Sequence, residues 1–483
     1  MRAPLVSLVA LAASPLVLAA QPATPKAASS TPPTLSAPKP LTLPTMIERR
    51  LPNGLRLVVV EQRELPVVDA QLVINTGSVA DPTGKDGLAT LTANMLDEGA
   101  GSRDALALAE EIAYLAIRLS TGASLEQSTV ALHSTRSTLD GAMQLMADVV
   151  LRPTFPEKEF TRLRSERLTA LLQEQDRGPA MADRAFAAIV YGESHPYGRS
   201  SAGVRSSVET MSRADVQSFW KSWYRPNNAT LVLVGDVTVA EAVTLATRAF
   251  GGWERAVLPA VPAARVAAKN ATTAIHIVDK PKAAQSSFRL GGIGAARSTA
   301  DYYPLMVMNT ALGGSFTSRL NNTLREVKAY TYGAGSSFSL RRNAGPFTAR
   351  AEVVSAKTDS ALIEFMKELN GIRKPLPPSE LAKVKRYLQL GYADGFESTS
   401  DIASQIANLV PYNLPLSTLG AFNAGIGRVT SADVQRVAAQ YVTPGALTIV
   451  IAGDRASIEP ALKATKIAPV DVRDIYGRPV IVP

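Results

Sequence analysis

The sequence contains no cysteine and only three histidines in 483 residues. The first absence excludes disulfides, thiolate metal sites, a cysteine nucleophile and the lipid-bearing cysteine of a bacterial lipoprotein. The second leaves His133, His195 and His276, of which no two are close enough to form an i,i+4 pair of metal ligands. After the first 20 residues no stretch reaches the roughly 18 to 20 continuous apolar residues of a membrane-spanning helix, which predicts a soluble mature chain. Dense Lys/Arg runs are also missing. The net charge of +9 is scattered along the chain, so a nucleic-acid or anionic-membrane partner is not implied. No GxSxG elbow or SxxK signature stands in a convincing context, which removes support for a serine hydrolase.

What is present suffices for folded cores, with 46% hydrophobic and 19% charged residues. Residues 1–20 read as a secretory signal peptide: Arg2 is followed by the apolar stretch Leu5 to Leu18 and the small residues Ala19 and Ala20. Residues 21–45 are rich in Pro, Ala, Ser and Thr, with too few large apolar groups to offset ordering entropy, and are predicted to form a flexible leader. Export of a chain without disulfides predicts a periplasmic location.

From Met46 the texture changes. An Asn-Gly turn leads into the strand-like run Leu55 to Val60, and Ala70 to Asn75 is a second run. Amphipathic helices are predicted at Ala105 to Leu119, Leu139 to Val150, Glu157 to Leu172 and Ser379 to Leu390. An internal repeat organises them. Ser212 to Gln217 matches Thr430 to Gln435 at an offset of 218, and at the same offset Leu231 to Asp236 matches Ile449 to Asp454. Both places read as a capped helix leading into an apolar strand that ends in Gly-Asp. The repeat predicts an α+β fold of two homologous α/β-sandwich lobes, each of about 210 residues. The expected boundaries are 46–255 and 273–483, with an exposed linker over 256–272 letting the lobes face each other as a clamshell.

Two similar lobes, together with Leu51-Pro-Asn-Gly-Leu-Arg56, the segment Asn75 to Gly99 and Tyr191-Gly-Glu-Ser-His-Pro-Tyr-Gly198, resemble the M16, pitrilysin-like metallopeptidase family. The resemblance spans nearly all of Met46 to Asp474. In members that hydrolyse peptides it implies an HxxEH helix, two His binding zinc and the Glu acting as general base. Here Gly87-Leu88-Ala89 is followed by Thr90, Ala93 and Asn94 at those three positions. Neutral Thr and Asn oxygens are poor substitutes for imidazole, and a methyl group neither accepts nor returns a proton. The family's further Glu ligand would fall near Thr169 to Leu171, where Glu166 and Glu174 are both out of step. No metal is therefore expected in this chain.

The remaining candidates read as structural. His195 beside Pro196 is expected to be hydrogen-bonded, and His133 alternates within a strand-like run. Asp97, Glu98 and Asp86 follow no calcium-loop spacing and are expected to be solvated.

In M16 enzymes the half opposite the zinc supplies an Arg and a Tyr that hold substrate against the metal. By resemblance these are Arg325 and Tyr332, seven residues apart. Tyr330 competes, and simple alternation places it on the same face as Tyr332. The resemblance thus implies a non-zinc-binding, pseudo-peptidase subunit of the M16B type. It would pair as a heterodimer with a homologous HxxEH subunit that carries the zinc, and contribute Arg325 and Tyr332 to cleavage of unstructured peptides. The alternative is a peptide-binding or scaffold subunit with no part in hydrolysis.

Overall fold

A computed structural model describes residues 41–261 and 271–480. The expected signal peptide, the leader up to residue 40 and residues 262–270 of the expected linker lie outside the described residues.

The apolar run at the start of the first lobe becomes a strand because it is needed on both of its faces. Side chains alternate along a strand, so a continuous apolar run is buried on two sides. In β2 (Arg56–Glu61), Leu57 and Val59 enter one core while Val58 and Val60 enter another. The first lobe also holds β1 (Met46–Arg50), β3 (Val67–Ile74), a two-residue hairpin of β4 (Gly99–Ala100) and β5 (Arg103–Asp104), β6 (Arg118–Ala123), β7 (Ser128–Thr135) and β8 (Ala229–Gly235). The second lobe holds β9 (Ala274–Asp279), β10 (Gln285–Ile293), β11 (Thr331–Phe338), β12 (Pro346–Val354), β13 (Thr448–Gly453) and β14 (Val470–Arg473).

Two six-stranded sheets result, in the orders β1-β2-β8-β3-β7-β6 and β11-β12-β10-β13-β9-β14. Read from opposite ends, five positions correspond: β2 with β9, β8 with β13, β3 with β10, β7 with β12 and β6 with β11. The sixth position differs in direction, since β1 runs antiparallel to β2 whereas β14 runs parallel to β9.

One face of each sheet is covered by helices of its own lobe. Leu139–Leu151 and Val239–Phe250 pack on the first sheet, and Thr358–Gly371 and Arg455–Ala464 on the second. The other face is covered by a helix from the opposite lobe. Met181, Ala182, Ala185 and Phe186 of helix Gly178–Tyr191 meet Val278, Val450 and Ala452 of the second sheet. Ile402, Ala403 and Ile406 of helix Thr399–Ala407 meet Val58, Val60, Val232 and Val234 of the first. Polar contacts seat both helices. Arg289 on β10 forks onto Asp183, with Nε to Oδ1 at 2.5 Å and Nη2 to Oδ2 at 3.1 Å. Gln71 on β3, 218 positions earlier, donates to Ser404 Oγ at 3.0 Å.

The hairpin turns that follow β6 and β11 also meet. Arg342 Nη2 donates to Asn75 O and Glu126 O of the first lobe, both at 2.9 Å, while its Nε donates to Pro411 O at 2.8 Å. Its backbone N–H donates to the buried Glu126 carboxylate at 2.9 Å, and that carboxylate also accepts from Tyr197 Oη.

The repeat seen in sequence has one capping box in each copy. Ser212 and Thr430 accept from the N–H groups of Asp215 and Asp433, which bond back to the capping residues. One expected helix is shorter than its pattern. Ala105–Tyr114 stops early because Ala116 takes φ 50°, and Leu119 belongs to β6. In the expected linker, Val257 is exposed while Leu258 packs on the first core. Among the described residues no helix is long and apolar enough to cross a membrane.

Two outcomes follow. Arg342→Ala removes the side-chain bonds to carbonyl oxygens across the lobes and lowers unfolding stability by about 2 kcal/mol, the size of effect for lost hydrogen bonds to a charged group, read from urea melts. The Asp433 carboxyl is held below its ordinary value by the hydroxyl and backbone N–H of Thr430. A depressed native pKa contributes stability above the unfolded-state value and loses it as pH falls through the native one. Asp433→Ala therefore lowers the melting temperature at pH 7, and the difference from wild type shrinks below a pH of about 4.

Candidate functional site

Helix Leu88–Asn94 carries the positions where the zinc motif would stand. Its N-terminus is fixed by Asp81, whose carboxylate accepts from Gly87 N and Ala89 N, both at 2.8 Å, satisfying helix donors that lack an intrahelical partner. Burial pushes the Asp81 carboxyl up to about 7, against those two N–H groups and Arg199, which favour its charged form. Gly87 has φ 95° and lies so close to Gly203 that a Cβ would meet backbone at 2.8 Å, so the helix starts hard against the neighbouring segment.

None of the three motif positions suits zinc. Thr90 Oγ1 is committed to Ser201 O at 2.7 Å, Ala93 is fully buried and offers only a methyl group, and Asn94 presents a neutral carboxamide. The carboxylates expected to be out of step are engaged elsewhere: Glu166 pairs with Arg162 at 3.0 Å and Glu174 with Arg184 at 2.8 Å. Among the described residues no group of three or more His, Cys, Asp or Glu could hold a metal ion.

The other candidates are structural, though not all as expected. His195 Nδ1 accepts from Tyr197 N at 3.0 Å, and burial, with Arg341 and Arg199, holds its pKa below the usual value. His133 pairs with Asp69 at 3.1 Å, and the same Asp69 accepts from Thr399 at the start of the exchanged helix. His276 pairs with Asp471 at 2.6 Å. The acidic residues expected to be solvated are instead partly buried. Asp86 pairs with Arg199 at 2.9 Å, Glu98 with Arg162 at 2.5 Å, and Asp97 accepts from Thr121. Their partners lie far along the chain, so nothing local announces them.

The second lobe presents a different arrangement. Helix Tyr302–Leu312 ends at Gly313, where a Cβ would meet Ser336 N at 2.2 Å, so the chain passes tightly beside β11. It then enters the short helix Arg319–Asn321, which widens into the π-helical turn Asn322–Val327 that carries Arg325. Such turns concentrate at functional sites. Asn321 is the brace: its Nδ2 donates to Phe316 O at 2.6 Å and its Oδ1 accepts from Ala334 N at 3.1 Å, tying the turn to β11.

Arg325 is half-buried, and its guanidinium carbon stands 4.5 Å from the centre of the Phe316 ring, with Nη1 3.4 Å from Glu326 Oε1. Tyr332 is 90% exposed. Phe316 at 66% and Val327 at 67% are exposed beside them in sequence, which gives the segment apolar surface next to a guanidinium and a phenol. Tyr330 does not share the face of Tyr332 as simple alternation predicts. Ala329 takes φ 53° and the ladder shifts register between Thr331 and Ala334, so Tyr330 packs on the core while Tyr332 points out. Sequence reasoning also passed over Phe316, because an aromatic between a Gly-Gly turn and a helix start reads as core.

The fold and the segment have clear relatives. The family model described as Insulinase (Peptidase family M16) matches residues 57–195, and the one described as Peptidase M16 inactive domain matches residues 210–388. An uncharacterized zinc protease of Mycobacterium tuberculosis is 27% identical over 362 residues, covering 74% of this chain and 81% of the relative. A probable mitochondrial-processing peptidase subunit beta of Arabidopsis thaliana is 24% identical over 427 residues, covering 83% and 77%. Among solved structures, a peptidase M16 inactive domain from Pseudomonas fluorescens aligns with a TM-score of 0.79 at 27% identity, over 84% of this chain and 98% of that one. A protease from Helicobacter pylori shares the fold with a TM-score of 0.80 at 22% identity, over 85% and 100%. With both of its halves matched and two such sheets in its fold, this chain belongs to the M16 peptidase family, and its second match is of the inactive-domain type.

Proposed function

We propose that this chain is the non-zinc-binding subunit of a heteromeric M16 peptidase, exported together with a homologous HxxEH subunit and inactive without it. The observation that carries this reading is an asymmetry. The zinc-motif positions of the first lobe hold a committed hydroxyl, a methyl group and a carboxamide, while the second lobe keeps Arg325 on a braced turn and an exposed Tyr332 on the adjoining β11.

The partner would supply the zinc and the general base. The residues of this chain would act on the peptide. The Arg325 guanidinium forks onto backbone carbonyl oxygens, which orients an extended segment. The Tyr332 phenol donates to the carbonyl oxygen that gains negative charge as water attacks, which favours the transition state over the ground state. Phe316 holds the Arg325 guanidinium at its ring face, so less side-chain freedom is lost when substrate binds.

The test uses an unstructured peptide with this chain alone, the zinc-bearing homologue alone, and the mixture. Cleavage is expected only in the mixture, and metal analysis is expected to find zinc bound to the homologue and not to this chain. Zinc-dependent cleavage by this chain alone would overturn the proposal, and an inactive mixture would favour a scaffold role. In an active mixture, Tyr332→Phe lowers kcat by roughly 100-fold or more, the size of effect known for loss of an oxyanion donor. Phe316→Ala lowers kcat/KM by about tenfold or less, mainly through KM, and Phe316→Tyr restores it. Unchanged kinetics in both variants would remove these residues from the site.

A further inference from the structure

A cavity of about 520 Å³ lies between the lobes, in the size range of small-molecule sites. The hairpin turn after β6 lines one side through Ser124, Glu126 and Gln127, and the second lobe forms the other walls. It is distinct from the Arg325 and Tyr332 segment. β11 runs from Tyr332 to Phe338 at the cavity wall, six residues and thus about 20 Å away.

The walls combine two chemistries. Tyr302, Phe338, Tyr392 and Phe422 supply aromatic surface, with Tyr392 and Phe422 stacked at 4.1 Å. Arg297 stands over one of these rings, its guanidinium carbon 3.8 Å from the centre of Tyr302. That guanidinium has no hydrogen bond or ion pair among the described residues. The acidic residue at the wall, Glu126, is already engaged by Tyr197 Oη and the Arg342 N–H. Gln405, Asn408 and Thr418 line the cavity without side-chain hydrogen bonds among the described residues, and the Oε1 of Gln127 is buried without a partner. The buried Gln127 oxygen carries the desolvation cost of an unmade bond, while Arg297, Gln405 and Thr418 are half-exposed and Asn408 is exposed, so these groups are free to exchange water for a ligand.

We propose that this cavity binds a small carboxylate that carries an aromatic or aliphatic body. The carboxylate meets the Arg297 guanidinium, the body lies against the aromatic walls, and the amide side chains of Gln405 and Asn408 take its remaining polar groups. The same chemistry belongs to a free aromatic acid and to the C-terminal residue of a short peptide. This inference does not depend on the peptidase reading, since it concerns the chain alone.

Isothermal titration of the full chain with N-acetyl-phenylalanine, with its C-terminal amide and with N-acetyl-Ala-Ala-Phe tests it. At least one carboxylate is expected to bind about tenfold or more tighter than the amide, the margin of a charge-assisted hydrogen bond. The acid or the tripeptide binding more tightly identifies which source of the carboxylate fits. Arg297→Gln is expected to abolish the preference for the carboxylate. Should that variant unfold, Thr418→Trp, at a half-exposed wall position, is expected to block binding by filling the space. Equal binding of acid and amide, absence of binding by either carboxylate, or unchanged binding in a folded variant overturns the proposal.

Discussion

The Arg342 guanidinium ties the two lobes together where their hairpin turns meet. It bonds a carbonyl of the segment after β3, another at the turn after β6, and a third in the second lobe, while its own backbone N–H reaches the buried Glu126 carboxylate. Glu126 and Arg342 are 216 residues apart, close to the repeat offset, so corresponding hairpin turns of the two copies meet here. The contact is made through backbone groups on both sides: the Arg342 guanidinium takes carbonyl oxygens and the Glu126 carboxylate takes the Arg342 N–H, so the two turns are joined without a direct ion pair.

The same pseudo-symmetry governs the sheets. Strands with apolar residues on both faces need two covering layers, and each lobe provides only one of its own. The second layer comes from helices Gly178–Tyr191 and Thr399–Ala407, each docked on the opposite sheet. Arg289 and Gln71, at equivalent places on β10 and β3, anchor them with different chemistry. The fork on Asp183 is charged and the amide on Ser404 is neutral, so the two docking sites have lost interchangeability while keeping their place.

Much of this was legible in the sequence. Runs such as Leu57 to Val60 and Leu231 to Val234 announce strands buried on both faces, and the Ser-Arg-Ala-Asp and Thr-Ser-Ala-Asp segments mark equivalent helix starts in the two copies. Periodicity shows that a helix has an apolar face but not which sheet the face will meet, so the exchange of helices was hidden. That Thr90, Ala93 and Asn94 offer no imidazole or carboxylate is plain in the sequence because it is a matter of side-chain identity. The geometry around Arg325 is not, because a π-helical turn differs from an α-helical one only in hydrogen bonds that reach one residue further back, and leaves no compositional trace. Tyr330 was misplaced for a related reason: alternation assumes a regular ladder, and the shift between Thr331 and Ala334 breaks it. The ion pairs of Asp86 and Glu98 join distant segments and carry no local signal.

The exchanged helices also set the order in which the chain can become native. Helix Gly178–Tyr191 is synthesised well before β10 and β13, the strands it covers, and β2 and β8 wait for Thr399–Ala407 to close their open face. The sequence repeat therefore marks an evolutionary unit but not an independent folding unit. Contacts of such large sequence separation make for slow, cooperative folding, and a ribosome-bound first half presents an uncovered apolar sheet until most of the second half has emerged.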